Sequence, residues 1–256
     1  MKVLAVIPAR YASTRFPGKP LAELGGESII SRVYHRVCRT EGIEDVLIAT
    51  DDESICDHAE TFAEEGAVMI TSDQHRSGTD RCGEAVQRLD RQGYRYDVIL
   101  NVQGDEPFVE PEQLQTLIDC FDNPNIQIAT LATRISKIDE LLSPDNVKVA
   151  RADDGHALYF SRQPIPYRRG TDIKHWLDEG VYLKHVGIYA FRADILPELC
   201  RLAVSPLEEC EKLEQLRWLE AGYTIHVAMT DHANIGIDTP DDLAAAEKYL
   251  KQKNKK

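Results

Sequence analysis

KVLAVIPARYASTRFPGKPL, residues 2–21, joins a short apolar run to a loop rich in cations and small residues. We predict a buried strand over residues 2–7, which delivers this loop to one edge of a sheet. The pattern repeats with apolar runs at 45–50, 67–71 and 97–103, separated by amphipathic stretches of helical length. This alternation predicts an α/β, Rossmann-like fold with a central, mostly parallel sheet flanked by helices.

The second half of the chain has a different pattern. Closely spaced strand-like runs begin after Asn125, which predicts that the sheet becomes mixed or antiparallel there. Helices are predicted at 27–40, 52–65, 78–91, 111–121, 194–202 and 211–221, with a last strand from 223 and a C-terminal helix at about 239–253. No repeat and no linker rich in Gly, Ser or Pro divides the chain, so we expect a single α/β domain.

Acidic residues outnumber basic ones by 43 to 30, which gives a net charge of −13 over 256 residues. This balance argues against binding to nucleic acid or to a membrane surface, unless cations are concentrated in one cleft. The six cysteines form no Cys-x-x-Cys pair and are expected to be reduced thiols. The apolar run at 3–7 is too short for a signal peptide, and no stretch reaches the ~18 apolar residues of a membrane span, so we expect a cytoplasmic protein.

The loop after the first predicted strand is basic. It carries Arg10, Arg15 and Lys19, with Ser13 and Gly18 between them. Open α/β sheets bind ligands at this edge, and clustered cations with accessible backbone N–H groups suit a triphosphate. The loop is neither a Walker A sequence nor G-x-G-x-x-G, which argues against an ATPase and a dehydrogenase. The structural alternative is a surface loop with three solvated cations.

Two aspartates follow apolar runs at distant places in the sequence. Asp105 lies near the end of VILNVQGDEP, residues 98–107, and Asp238 lies in NIGIDTP, residues 234–240. Carboxylates beside a phosphate site are ligands for Mg²⁺, which commonly joins one or two of them to phosphate oxygens. We therefore predict that Asp105 and Asp238 hold Mg²⁺. Asp238 is equally suited to cap the helix that follows it.

HRSGTDR, residues 75–81, opens the third predicted helix. The backbone around Gly78 allows a flat base to approach closely, and Arg81 can hydrogen-bond to a base or stack on it. The alternative is plain helix capping by Ser77 or Thr79.

A group of polar residues in the second half has the types that recognise a polyhydroxylated acid. They are Arg162, His185, Tyr189, Glu214 and Gln215. Each is a weak signal alone, and a lone histidine such as His185 is more often a structural residue.

Seven motifs occur along the chain in a fixed order: IPARYASTRFPGKPL, HRSGTDR, NVQGDEP, YFSRQPIP, KHVGIYAFR, LEQLRWLEAG and GIDTPDDL. Together they closely resemble the 3-deoxy-manno-octulosonate (KDO) cytidylyltransferases, or CMP-KDO synthetases, over nearly the whole chain. The resemblance implies a nucleotide-diphosphosugar transferase fold. It also implies a homodimer that makes CMP-KDO and pyrophosphate from CTP and KDO with Mg²⁺, for lipopolysaccharide synthesis. Phe191 and Tyr167 stand where the family usually has Tyr and Trp.

The resemblance assigns roles to the candidate residues. The triphosphate loop corresponds to Arg10, Ser13, Arg15 and Lys19, the cytosine motif to Gly78 and Arg81, and the metal ligands to Asp105 and Asp238. Arg10, Lys19 and the two aspartates are then the expected catalytic residues. The sugar is expected to contact Gln103, Arg162, His185, Tyr189, Glu214 and Gln215. The chain divides into a nucleotide-binding part of about 1–122, a sugar-binding and dimerisation part of about 123–235, and the C-terminal helix.

Two other functions stay open from the sequence. One is a cytidylyltransferase for another sugar acid, such as N-acylneuraminate, and the other is a non-catalytic protein that binds nucleotide sugars. RFPGKPL, SGTDR and LEQLR favour KDO, and the presence of both aspartates argues against a non-catalytic protein. For the transfer we expect in-line attack of the anomeric hydroxyl on the α-phosphorus, with Mg²⁺ assisting its ionisation and no histidine required as general base.

Overall fold

The computed structural model describes residues 1–232 and 235–253. These residues form two compact units, one of residues 1–118 and 235–253, the other of residues 119–232. The strands are β1 (Val3–Ala9), β2 (Glu23–Leu24), β3 (Glu27–Ser28), β4 (Asp45–Thr50), β5 (Val68–Ile70), β6 (Val98–Asn101), β7 (Ile128–Arg134), β8 (Lys148–Arg151), β9 (Ala157–Ser161), β10 (Leu183–Arg192) and β11 (Ile225–Met229). The helices are α1 (Ile29–Val37), α2 (Glu53–Glu60), α3 (Gly78–Arg91), α4 (Pro111–Cys120), α5 (Ile138–Leu142), α6 (Leu196–Leu199), α7 (Pro206–Glu211), α8 (Gln215–Glu220) and α9 (Pro240–Lys253).

The first unit is built on a parallel sheet with the strand order β6, β1, β4, β5. Every residue of β1 and β6 is buried, as expected for strands with both faces covered. Side-chain caps set where the helices begin: Ser28 Oγ accepts from Ser31 N at 3.3 Å at α1, and Ser77 Oγ accepts from Asp80 N at 3.1 Å at α3. The predicted α/β class with a mostly parallel sheet is confirmed.

The second unit contains a mixed set of strands in the order β11, β7, β10, β8, β9. β11 and β7 run parallel, whereas β7 with β10, β10 with β8 and β8 with β9 run antiparallel. The register of β10 on β7 shifts between Val186 and Tyr189, so this strand carries a bulge. The change to mixed pairing after Asn125 agrees with the sequence pattern.

The helix predicted over 211–221 is shorter in the structure, where α8 covers Gln215–Glu220. A separate short helix that was not predicted, α7, precedes it and ends because Lys212 adopts the left-handed conformation at φ 54°. α7 begins at a capping box formed by Ser205 and Glu208. The bend is held by Arg217, whose Nε and Nη2 donate to the two Glu208 carboxylate oxygens at 2.7 Å each.

Other predicted bounds differ from the observed ones by a few residues, with β4 and α3 as predicted. None of the helices in the described ranges combines the length and the apolar character that crossing a bilayer requires.

Candidate active site

The basic loop after β1 turns back and buries one of its cations. Gly18 adopts φ +69°, and a Cβ there would lie 3.2 Å from the Tyr11 ring, so glycine suits both the turn and the close packing. A short 3-10 helix, Lys19–Leu21, starts directly after it. Lys19 is 8% exposed, whereas Arg10 and Arg15 are exposed. The turn therefore fixes Lys19 beneath two solvent-facing arginines.

Lys19 joins the two predicted metal ligands. Its Nζ donates to Asp105 Oδ2 at 2.5 Å and to Asp238 Oδ1 at 3.1 Å. Arg15 Nη2 lies 2.9 Å from the other oxygen of Asp238. Two cations and two carboxylates thus meet at one point, although the partners are up to 219 residues apart in the sequence.

The loop before α9 directs Asp238 toward the cations. Thr239 Oγ1 accepts from Asp242 N at 3.2 Å, and Asp242 Oδ2 accepts from Asp238 N at 3.1 Å. Helix capping is therefore done by Thr239 and Asp242, which leaves the Asp238 carboxylate for Lys19 and Arg15. Ile237 N donates to Asp105 O at 3.0 Å, so the two aspartate loops are tied together by their backbones.

The pair of aspartates fits a hard divalent cation. Both carboxylates reach the same ammonium group, so their oxygens converge on a space of the size that one cation occupies. Within the described ranges, no group of three or more His, Cys, Asp or Glu residues could enclose a metal. This donor set suits Mg²⁺, which keeps several waters and takes substrate phosphates as further ligands, better than a metal that needs an all-protein cage.

All of the predicted nucleotide residues line a single pocket of the first unit, together with Gln103. Its lining includes Arg10, Ser13, Arg15, Lys19, Gly78, Arg81, Gln103, Asp105 and Asp238. The same pocket is lined by residues for which no contact with a ligand was predicted, among them His75, Arg76 and Gly104.

His75 is the clearest omission. It hydrogen-bonds through Nε2 to Glu84, whose pKa is lowered by hydrogen bonds from Ser72 N and His75 even though burial opposes the shift. HRSGTDR begins with this residue, so its place in the motif already indicated that His75 lies near the ligand.

Arg81 has a different environment from the one we predicted. It is 3% exposed, and its guanidinium donates to Asp51 Oδ2 at 2.9 Å and to Thr71 Oγ1 at 2.5 Å. Asp52, not Asp51, caps α2 by accepting from Ile55 N at 3.1 Å. Arg81 therefore stabilises the wall of the pocket through its hydrogen bonds to Asp51 and Thr71. Its contact with a base stays a prediction.

Gly78 and Gly104 permit close packing around Gln103. A Cβ on Gly78 would lie 3.0 Å from Gln103 Nε2, and a Cβ on Gly104 would lie 2.9 Å from Pro8 O. The Gln103 amide is oriented by Asn101, whose Oδ1 accepts from Gln103 Nε2 at 3.0 Å. The loop after β6 is thus held directly against the end of β1 and the start of α3.

His185 and Tyr189 lie together in the second unit, with ring centroids 5.3 Å apart. His185 Nε2 is 2.9 Å from Thr130 Oγ1, and burial lowers the pKa of His185 to about 3. Burial, followed by the charge of Glu214, raises the pKa of Tyr189 well above its usual value. Thr130 moderates that rise, yet no described group makes a well-formed hydrogen bond to the buried Tyr189 hydroxyl.

The low pKa of His185 predicts a pH-dependent stability. The unfolded imidazole takes up a proton from about pH 6.5 downward, whereas the folded one stays neutral to about pH 3. Stability is therefore lost as pH falls through this window, by up to about 1.4 kcal/mol per pH unit. Urea unfolding of the wild type and of His185→Asn between pH 7.5 and 5 measures the effect. Equal slopes for the two proteins would contradict it.

Arg162 is held by backbone carbonyls. Its Nε donates to Glu211 O at 2.7 Å and its Nη1 to Pro144 O at 2.9 Å, while Glu211 Oε2 accepts from Arg162 N at 2.9 Å. Glu214 lies 3.7 Å from Arg217, and Gln215 is 5% exposed. Pairing of Arg162 with a sugar carboxylate stays a prediction.

Comparison with known proteins gives consistent results. The sequence model of a family described as cytidylyltransferase matches residues 4–225. A 3-deoxy-manno-octulosonate cytidylyltransferase from Parabacteroides distasonis is 50% identical, with 98% of both chains covered. That from Phocaeicola vulgatus is 49% identical, with 99% of both chains covered.

Solved structures agree with the sequence comparison. CMP:2-keto-3-deoxy-manno-octonic acid synthetase complexed with CTP has a TM-score of 0.88 and 39% identity, covering 99% of this chain and 100% of that one. A 4-diphosphocytidyl-2C-methyl-D-erythritol synthase has a TM-score of 0.65 at 17% identity, covering 97% of this chain and 98% of that one, and shows likeness of fold alone.

Proposed function

Because the chain belongs to the 3-deoxy-manno-octulosonate cytidylyltransferase family, we propose that it transfers the cytidylyl group of CTP to KDO and releases pyrophosphate. The observation that carries this proposal is the pocket in which Lys19, with Arg15 beside it, meets Asp105 and Asp238. Cations suit the triphosphate, and the paired carboxylates suit the metal that accompanies it.

The basic loop binds the nucleotide. Arg10 and Arg15 offer planar forks to phosphate oxygens, and Lys19 offers a compact charge. Ser13 and the backbone N–H groups near Gly18 add donors at the same edge of the sheet. Gly78 leaves room for the base, and Arg81 holds that wall through Asp51 and Thr71.

Asp105 and Asp238 would hold Mg²⁺, which would supply Lewis acidity for the phosphates and lower the cost of ionising the attacking hydroxyl. The two carboxylates would fix the position of the ion, and Lys19 neutralises the leaving pyrophosphate. The anomeric hydroxyl of KDO attacks the α-phosphorus in line: its bond to phosphorus forms as the bond to pyrophosphate breaks, and the hydroxyl proton passes to solvent.

The polar residues of the second unit contact the sugar. His185 is neutral near pH 7, so its imidazole serves as a hydrogen-bonding group rather than as a cation. The buried Tyr189 hydroxyl has an unused hydrogen-bonding capacity that a sugar hydroxyl satisfies. Glu214, Gln215 and Arg162 add acceptors and donors around it. The protein works in the cytoplasm as a homodimer, in the synthesis of lipopolysaccharide, without a nucleic-acid or membrane partner.

The test is pyrophosphate release with CTP, Mg²⁺ and a panel of sugar acids. KDO should be turned over at least about a hundredfold more efficiently than N-acetylneuraminate, because the pocket's polar groups are left unpaired by a sugar of different shape. Removal of Mg²⁺ with a chelator should stop the release. A higher rate with another sugar acid would mean that this acid, and not KDO, is the substrate. Binding of CTP without pyrophosphate release for any acid would favour a non-catalytic protein.

Gly104→Ala tests whether the contact between the loop after β6 and the end of β1 matters for this reaction. The new methyl group would lie 2.9 Å from Pro8 O, a backbone atom, so the loop or the end of the strand must shift. We expect kcat/KM to fall about tenfold and the unfolding free energy to fall by about 1–2 kcal/mol. Gly187→Ala, where the methyl group meets nothing within 4 Å, is the steric control for stability. Unchanged kinetics for Gly104→Ala would show that the contact is not needed.

A further inference from the structure

Lys19 neutralises the two carboxylates that the metal requires. Its side chain is 10% exposed and contacts one oxygen of each aspartate. Arg15 contacts the second oxygen of Asp238, so two positive charges already balance two negative ones. A divalent cation arriving alone would meet a locally neutral group whose ligand oxygens accept hydrogen bonds. It would also approach a fixed ammonium within a few ångströms.

The backbone of Lys19 cannot withdraw to make room. Gly18 at φ +69° and Pro20 flank it in the short 3-10 helix, and the Tyr11 ring packs on the turn. Ala22 N donates to Lys19 O at 3.1 Å, and Gly18 N donates to Tyr11 O at 3.0 Å. Only the side chain can move, so the ammonium needs a new anionic partner nearby before it gives up an aspartate.

We propose that Lys19 is a counter-ion gate: it holds Asp105 and Asp238 closed against a divalent cation until the triphosphate arrives and accepts its ammonium. This inference rests on the proposed function, since it takes CTP and a divalent cation as the ligands of the pocket. Metal and nucleotide then strengthen each other's binding, and part of that coupling comes from one lysine charge. The gate also keeps the acidic pair from being filled by free metal ions.

The test uses Mn²⁺ as a probe, because it accepts the same oxygen ligands as Mg²⁺. Its binding to the nucleotide-free protein is measured by electron paramagnetic resonance of the free ion. The wild type should bind weakly. Lys19→Met, which keeps the stem and removes the charge, should bind at least about tenfold more tightly, and Lys19→Arg should bind as weakly as the wild type. Lys19→Gln repeats the neutral case should the methionine variant fail to fold, as judged by circular dichroism.

Arg10→Met is the matched control. Arg10 lies on the same loop and lines the same pocket, and within the described ranges it forms no ion pair with an aspartate. Removing its charge should tighten Mn²⁺ binding by no more than about threefold, because only the general field of the pocket changes. A gain equal to that of Lys19→Met would overturn the gate.

Two further outcomes overturn the inference and separate it from the proposed function. In the first, water-proton relaxation shows that the wild-type protein binds Mn²⁺ equally well with and without CTP. Lys19 is then not a gate, although the metal site itself is supported. Wild-type protein that binds CTP but never Mn²⁺ has no metal at these aspartates, and both the gate and the proposed metal role fail. Tight Mn²⁺ binding by the wild type only with CTP, together with the gain in Lys19→Met, supports the gate.

Discussion

Asp105→Asn should lower kcat/KM for pyrophosphate release by about a thousandfold or more while the protein stays folded. The amide keeps the volume of the carboxylate but loses the charge that accepts from Lys19 at 2.5 Å and that holds the metal in the proposed mechanism. CTP binding measured by calorimetry without metal should be unchanged or tighter, because a negative charge beside the phosphates is removed. Catalysis should thus be lost without any loss of nucleotide binding.

Asp45→Asn is the control for this substitution. Asp45 begins β4 and accepts from Tyr96 Oη at 2.7 Å, so it loses the same charge at the amino end of a parallel strand, opposite the pocket. Its kinetics should stay within about twofold of the wild type. Near-normal turnover of Asp105→Asn at saturating Mg²⁺ would remove Asp105 from the metal site.

The sequence predicted the first unit well because its signals are local. Apolar runs marked the parallel strands, and Ser77 marked the start of α3 through its own side chain. The cations and carboxylates of the pocket followed from the rule that parallel strands present their loops at one edge.

The partnerships within the pocket could not be read from the sequence. Whether Lys19 would contact phosphate, solvent or Asp238 depends on a turn at Gly18 and on a segment 219 residues away. Similarly, Arg81 looked available for a base, but Asp51, which belongs to another loop, occupies its guanidinium. Long-range pairing of this kind is set by tertiary structure, which residue type and spacing do not report.

Lys148, in the second unit, is another residue whose partners could not be predicted from the sequence. It stands in NVKVARA, where an alternating strand pattern leads one to expect a solvated lysine. In the structure it is completely buried, and burial lowers the pKa of its ammonium. Its Nζ donates to Ser143 O at 2.9 Å, to Asn146 O at 2.5 Å and to Arg162 O. One cation therefore joins the loop between α5 and β8 to the backbone of a predicted sugar-binding residue.

Lys148→Met should lower the unfolding free energy by about 3 kcal/mol, because the thioether fills the stem's space but leaves three partly buried carbonyls without their donor. Both tryptophans, Trp176 and Trp218, lie in the second unit, so urea unfolding followed by their fluorescence reports on this region. The KM for KDO should rise as well, since Arg162 loses its backbone anchor.

Lys184→Met is the control for Lys148→Met. Lys184 pairs with Lys148 across β10 and β8, but its ammonium is partly exposed and lies 3.6 Å from Glu140. An exposed ion pair is typically worth less than ~1 kcal/mol, so this neighbour should tolerate the same substitution with a small loss. If both variants lose the same stability, the three carbonyls around Lys148 find other donors and the ammonium is not what fixes this loop. If only Lys148→Met is destabilised, the buried cation is a structural anchor of the second unit.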